Sequence, residues 1–233
     1  AVINQVNGRL PTVIGTSGQS TQLTITRTKH AADLGATMAM IAPEGFGNFP
    51  PEDIRRHYNN VADAVDIPIM LQDQTGTSLS PSLMAQLAND QPNIRHAKVE
   101  TVPTPPRFSE TKRLAGDSLI LLGGVNGAFL IEEANRGSEG AMASIAIVDI
   151  LCQVWDQYWS GDKVGAADRW ERYSHLIEMY RYEHGMNYWM AKEILRLRGI
   201  FTASHPRLPA HRPDDIAFRE VRDMCDRLGL SKV

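Results

Sequence analysis

The chain has 233 residues, with 24 Lys+Arg against 27 Asp+Glu, a formal charge of −3, and a hydrophobic fraction of 42%. That composition supplies a sizeable core and excludes a disordered chain. The near-neutral balance gives no basic face for nucleic acid or an anionic membrane, and no apolar run reaches the roughly 20 residues that cross a bilayer. Cys152 and Cys225 lie far apart and outside any Cys-x-x-Cys pattern, which excludes a disulfide framework and argues against a cysteine zinc site. The opening Ala1-Val2-Ile3-Asn4-Gln5 lacks the basic and apolar regions of a signal peptide, so a cytoplasmic protein is expected.

Short apolar runs alternate with helical patterns along the first 144 residues. Thr12-Val13-Ile14 is a strand, ended by Gly15-Thr16-Ser17-Gly18, and a helix follows with Ser20 as N-cap and Gly35 beyond its end. Met38–Ala42 is a second strand, closed by Pro43, and residues 44–48 form a loop. A helix opens with Pro50-Pro51 and runs to about Ala64. Ile67–Gln72 is a third strand, and Ser80-Pro81 starts a helix to about Ala88. Ile94–Glu100 is a fourth strand, followed by a proline-rich loop and a short helix capped by Ser109. Ser118–Leu122 is a fifth strand ending at Gly123-Gly124; a helix spans Ala128–Asn135, and Gly140–Ser144 is a sixth strand of small residues. Beyond it the pattern predicts helices only, over 145–160, 165–184, 187–198 and 214–228, with an irregular connector at 204–213. Continuous apolar strands joined by helices imply a parallel sheet buried on both faces, and the regular repeat favours a barrel.

Active sites of parallel α/β folds lie at the carboxyl ends of the strands. His96, Lys98 and Glu100 share one face of the fourth strand. A lysine desolvated on an inward face favours its neutral amine, which adds to carbonyl carbons, and Glu100 is placed to move protons. On the pattern alone, a strand-end lysine that reaches solvent and pairs with Glu100 is the more ordinary reading. Gln72, at another strand end, either serves the same cavity or satisfies loop backbone. Gly15–Ser20 precedes a helix N-terminus and can present N–H groups to a carboxylate; it is neither a P-loop nor a dinucleotide fingerprint. Gly123-Gly124-Val125-Asn126-Gly127 lets backbone approach a ligand, although tight turns use glycine more often. His175 and Glu178 lack the further histidine of a metal site, and no His-Glu-x-x-His or Gly-x-Ser-x-Gly is present.

With these residues in view, the chain resembles the dihydrodipicolinate synthase / N-acetylneuraminate lyase family of class I Schiff-base lyases. The likeness runs through Leu10-Pro11-Thr12-Val13-Ile14-Gly15-Thr16, the turn after Met40-Ile41-Ala42-Pro43, the Lys98 strand, the Gly123-Gly124 strand, the Gly140 segment and Arg207-Leu208-Pro209. It implies that Lys98 is the Schiff-base lysine. The family's Tyr-Asn-x-Pro tyrosine is replaced, since that place reads Leu71-Gln72-Asp73-Gln74. Gln72-Asp73 with Lys98-Val99-Glu100-Thr101 and a Gly-Gly-x-x-Gly strand end looks more like the branch that dehydrates 2-keto-3-deoxy sugar acids, where the matching glutamate is Glu100.

The resemblance implies Lys98, Glu100 and Gln72 as catalytic residues and Gly15, Thr16, Ser17, Pro43, Gly123, Gly124 and Asn126 as substrate-binding ones, with no cofactor and no metal. It implies a (β/α)8 TIM barrel lacking about its first two βα units, as residues 1–144, with a C-terminal helical region, 145–233, packed on it. The expected substrate is a small 2-keto acid, and the expected assembly a homo-oligomer, dimer or tetramer, without nucleic acid or membrane partners. Two other readings stay open: a pyruvate aldolase of the 4-hydroxy-tetrahydrodipicolinate synthase or N-acetylneuraminate lyase type, and an inactive remnant or binding protein that kept the scaffold.

Overall fold

The computed structural model describes residues 1–46, 49–179 and 185–230. It contains two compact units, one formed by Ala1–Gly124 with Glu132–Ala141, the other by Val125–Ile131 with Met142–Val233.

The first unit is an α/β layer around a five-stranded parallel sheet in sequential order. Its strands are β1 Val13–Gly15, β2 Met38–Ile41, β3 Ile69–Gln74, β4 Ile94–Glu100 and β5 Ile120–Gly123. Helix α1, Val2–Val6, precedes them; α2 Thr21–Asp33, α3 Pro51–Asp63, α4 Pro81–Asp90 and α5 Thr104–Ala115 follow successive strands. The hydroxyls of Ser20 and Ser80 accept the N–H groups of Leu23 and Leu83, so two helix starts are set by side-chain caps. Alternation along the strands divides the sheet into two faces. Ala39, Ile41, Leu71, Ala97, Val99 and Leu121 pack in one core with Tyr58, Val61, Leu83, Leu87 and Phe108 of the helices. Met40, Met70, Gln72, His96, Lys98 and Leu122 lie on the opposite face, register partners across β2 to β5.

Several predicted boundaries move. The third strand starts after Pro68 and runs to Gln74, two residues beyond the expected end. The fifth starts at Ile120, because Gly116–Ser118 forms a 3₁₀ turn. The helix expected at Ser109 begins at Thr104, with prolines in its first turn, where no intrahelical N–H is needed. The expected sixth strand is reduced to one parallel bridge, Gly123 to Ala141. Gly123 N–H donates to Gly140 O at 2.9 Å, but Ser144 caps a 3₁₀ turn at Ile145–Ile147 and diverts the chain into helix. Helix α6 is short, Leu130–Ala134.

The second unit is helical: α7 Val148–Trp159, α8 Lys163–Glu171, α9 Ser174–Met179, α10 Met186–Leu197 and α11 Asp215–Arg227. The predicted helix 165–184 is broken in two, and its last part, 180–184, lies outside the described residues, as do 47–48 of the predicted loop. Buried Arg198 donates to Ala146 O at 2.7 Å and to both Asp149 carboxylate oxygens, at 2.9 and 2.6 Å. Trp170 Nε1 donates to Gly127 O at 3.1 Å.

One buried charge orders the carboxyl edge of the sheet. Asp73, on the helix-covered face of β3, has no exposed surface. Its Oδ1 accepts from Ser78 Oγ at 3.1 Å, Leu79 N at 2.9 Å and Thr101 Oγ1 at 2.6 Å; Oδ2 accepts from Arg107 Nε at 2.9 Å. It thereby ties the loop after β3, the end of β4 and the first turns of α5 to one point. A desolvated carboxylate is tolerated only with such pairing. Asp73→Ala should cost about 3–5 kcal/mol of unfolding free energy, because Arg107 loses its counter-charge. Asp73→Asn, which keeps the acceptor oxygen, should cost less. Urea titration checks both, and a loss below about 1 kcal/mol for the alanine variant would remove Asp73 from this role.

Candidate active site

The parallel register sets Gln72 beside Lys98 and Gln74 beside Glu100 on one face of β3 and β4. Lys98 Nζ lies 2.9 Å from Glu100 Oε2, and the two side chains are only 12% and 18% exposed. With so little water between them, the charges interact more strongly than a surface pair would. Gln72 Nε2 donates to the same Oε2 at 3.0 Å and to Gln74 Oε1 at 3.0 Å. The three expected catalytic side chains thus form one continuous contact. Such a cluster offers a nucleophilic nitrogen, a proton acceptor touching it, and an amide that fixes the acceptor. Deeper on this face, burial pushes the His96 imidazole below its ordinary pKa, against the opposing charge of Glu139, so it is neutral at pH 7.

The strand end of β5 closes over the carboxylate. A Cβ on Gly124 would overlap Glu100 Cγ and lie 2.6 Å from its Cδ and Oε1, so only glycine leaves room for Glu100 there. Gly124 is buried. On the preceding residue the demand comes from the other side: a Cβ on Gly123 would overlap Glu133 Oε2 and lie 3.0 Å from Cδ.

The remaining expected residues fall into separate places. Gly15 ends β1, exposed, in register with Met40. The Thr16 hydroxyl is turned inward and accepts from Thr28 Oγ1 at 2.9 Å, while its N–H donates to Met40 O at 3.0 Å. Ser17 Oγ accepts from Ala42 N at 2.9 Å, which ties this loop to the residue before buried Pro43. The polar groups of Thr16 and Ser17 therefore serve the joint between the ends of β1 and β2. Asn126 belongs to the second unit, where it holds a left-handed backbone (φ 56°) and lines a cavity of about 200 Å³ with Ser144, Ile145, Asn187, Tyr188 and Lys192.

Two participants escape the sequence reading. Asp73 enters the sequence reading only as part of the Gln72-Asp73 pair, with no role of its own, whereas it is a buried anchor. Glu133 stands in a polar helical stretch yet is 1% exposed. Its Oε1 accepts from Thr104 Oγ1, and burial, with the nearby charges of Glu132 and Glu100, pushes its pKa up to about 8. A charged pair at 132–133 on a short helix carries no sequence signal that one member is inside. Among the described residues, no cluster of three or more His, Cys, Asp or Glu side chains is placed to hold a metal ion, and no helix is long and apolar enough to cross a membrane.

Comparison with known proteins identifies the family of the chain. The sequence matches the Dihydrodipicolinate synthetase family over residues 1–226. It is 30% identical to L-2-keto-3-deoxyarabonate dehydratase of Azospirillum brasilense over 214 residues, which are 89% of this chain and 69% of that protein. It is 33% identical to 4-hydroxy-tetrahydrodipicolinate synthase of Thermomicrobium roseum over 150 residues, 62% of this chain and 49% of the synthase. Among solved structures, a prophage protein of the dihydrodipicolinic acid synthase family from E. coli K12, in complex with pyruvate, superposes with a TM-score of 0.90 at 24% identity, covering 98% of this chain and 78% of that one. Dihydrodipicolinate synthase from Rhodopseudomonas palustris superposes with a TM-score of 0.87 at 24% identity, covering 96% and 77%. The chain belongs to the dihydrodipicolinate synthetase family of lyases.

Proposed function

We propose that this protein is a Schiff-base lyase that dehydrates a 2-keto-3-deoxy sugar acid through Lys98. The observation that carries the reading is the shielded contact of Lys98, Glu100 and Gln72 at the carboxyl edge of the sheet. The likeness to the arabonate-type dehydratase supports the substrate class, and Gln72 in place of a tyrosine disfavours the synthase and aldolase readings. Each proton has an assigned place. Lys98 passes a proton to Glu100 across their 2.9 Å contact, and the freed amine attacks the C2 ketone. Glu100 returns that proton to the C2 oxygen and relays a second one to it from the attached nitrogen, so the oxygen leaves as water and yields the iminium. The carboxylate so regenerated removes a C3 proton, made acidic because the iminium accepts the electron pair. The enamine pair then expels the C4 hydroxyl, which takes the proton from Glu100 and leaves as a second water. Hydrolysis of the conjugated iminium frees Lys98, so the net change is loss of one water. Gln72 holds Glu100 in place throughout.

The same reading takes β1 to β5 as later strands of an eight-stranded barrel with about two βα units preceding them. Its support is that the chain covers 78% of the prophage protein while being matched over 98% of its own length. It also includes a cytoplasmic dimer or tetramer. Ile145, Val148 and Tyr188, at 61%, 55% and 58% exposure, give the second unit apolar surface suited to a partner copy.

Borohydride reduction in the presence of pyruvate or a 2-keto-3-deoxy acid should leave one covalent adduct, on Lys98, by peptide mass spectrometry. An adduct elsewhere, or none, would falsify the Schiff-base reading. Glu100→Gln should form the Lys98 adduct more slowly, since Glu100 also takes the proton from Lys98, and should lose turnover by roughly 100-fold or more, the range of a lost general base. Gly124→Ala should displace the Glu100 carboxylate, lowering kcat by roughly 10- to 100-fold, the effect of a misplaced catalytic group. Its Tm should fall modestly, because the added methyl must push Glu100 aside, although Gly124 has no left-handed backbone requirement. Unaltered kcat in a folded Gly124→Ala protein would mean that Glu100 does not work from the position seen here.

A further inference from the structure

Two carboxyl groups flank the end of β5 from opposite sides. Successive residues of a strand project to opposite faces. The place of a Gly124 side chain is filled by Glu100, and the place of a Gly123 side chain by Glu133. The Glu100 carboxylate is satisfied by Lys98 and Gln72. Glu133 is different: Thr104 reaches one oxygen, and Oε2 is buried with no hydrogen-bond partner. A buried polar atom left in that condition calls for an explanation. Its neighbours include Thr104 from α5, Gly123 from β5, Glu132 on its own helix and Glu100 from β4. Both charged neighbours are negative, and none of these groups is cationic.

We propose that Glu133 is a positioning residue for the reaction at Lys98: its carboxyl fills the space behind Gly123 and holds the Gly123-Gly124 backbone where the Glu100 carboxylate rests against it. This rests on the Schiff-base reading. Its charge state gives the role a pH limit. Burial raises the pKa of Glu133 to about 8, so at neutral pH the carboxyl is protonated and carries no charge to oppose Glu100. Above that pH a second negative charge appears behind the dipeptide without a counter-ion. It repels the Glu100 carboxylate and pushes it away from its place against Gly124 beside Lys98. The sign for stability is the same. A carboxyl whose folded-state pKa is raised stabilises the fold at low pH, and that contribution is lost as pH rises through about 8.

The test compares wild type, Glu133→Gln and Glu133→Ala for turnover of a 2-keto-3-deoxy acid and for borohydride trapping with pyruvate, between pH 6 and pH 10. Gln keeps the shape and neutrality of the protonated acid. It should restore most of the kcat that Ala loses, roughly 10- to 100-fold by misplacement of Glu100. The wild-type decline centred near pH 8 should be missing from the Glu133→Gln profile, and the fall of Tm over that range should flatten. Superimposable wild-type and Glu133→Gln profiles, with the adduct intact on Lys98, would overturn the role of Glu133 alone. Absence of any Lys98 adduct in wild type at every pH would overturn the Schiff-base reading and this inference with it. If Glu133→Ala does not fold, the comparison of wild type with Glu133→Gln still decides.

Discussion

The carboxylate of Asp73 is the point to which the carboxyl edge of the sheet is referred. It has no exposed surface and receives hydrogen bonds from the loop after β3, from Thr101 at the end of β4 and from Arg107 on α5. It stands between Gln72 and Gln74, whose side chains project to the other face, where Gln72 donates to both Glu100 and Gln74. A charge buried on the structural face therefore fixes the strand ends that carry the chemical face. An apolar residue there could fill the volume, but it could not gather three separate segments by directed bonds.

The same division explains why a polar cluster can sit at the end of apolar strands without unravelling them. Ala39, Ile41, Leu71, Ala97, Val99 and Leu121 bury one face against the helices. The opposite face is free to carry methionines, an imidazole, and finally an amide, an amine and a carboxylate in adjacent register positions. Stability and reactivity are allotted to alternate residues of the same strands. The pair Gly123-Gly124 applies this rule by omission. Each glycine leaves space for a carboxyl belonging to another element, one on each side.

Much of this was legible in the sequence. Strand β4 appears with its predicted limits, Ile94–Glu100, because an apolar alternation bounded by turn residues leaves little freedom. The period of two also put Lys98 and Glu100 on one face. The expected sixth strand does not form, because small residues suit an extended chain and a close turn alike, and the Ser144 cap decides for the turn. The start of α5 was missed because Ser109 is a good cap in general, whereas Thr104-Pro105-Pro106 offered a first turn that needed no N–H donors. Glu133 and Thr16 were beyond reach for a common reason. Their surroundings are made by residues distant in sequence, Thr104 and Gly123 for one, Thr28 and Met40 for the other.

The sequential order of the sheet has a further consequence, for how the chain reaches its folded state. Every ladder joins a strand to the next one along the chain, from β1–β2 to β4–β5. Among the described strands each pairs with its neighbours in sequence, so the loop closed at each pairing is one helical crossover rather than a longer excursion. The fold can grow by successive addition of strand–helix units as the polypeptide emerges. The pairings of β3 with β4 and of β4 with β5 fall within residues 69–123, a segment that contains its own crossover helices, and Gly124 and Glu133 flank the site from just beyond it. The reactive centre is a local product of assembly, built around one continuous stretch of strands and crossover helices.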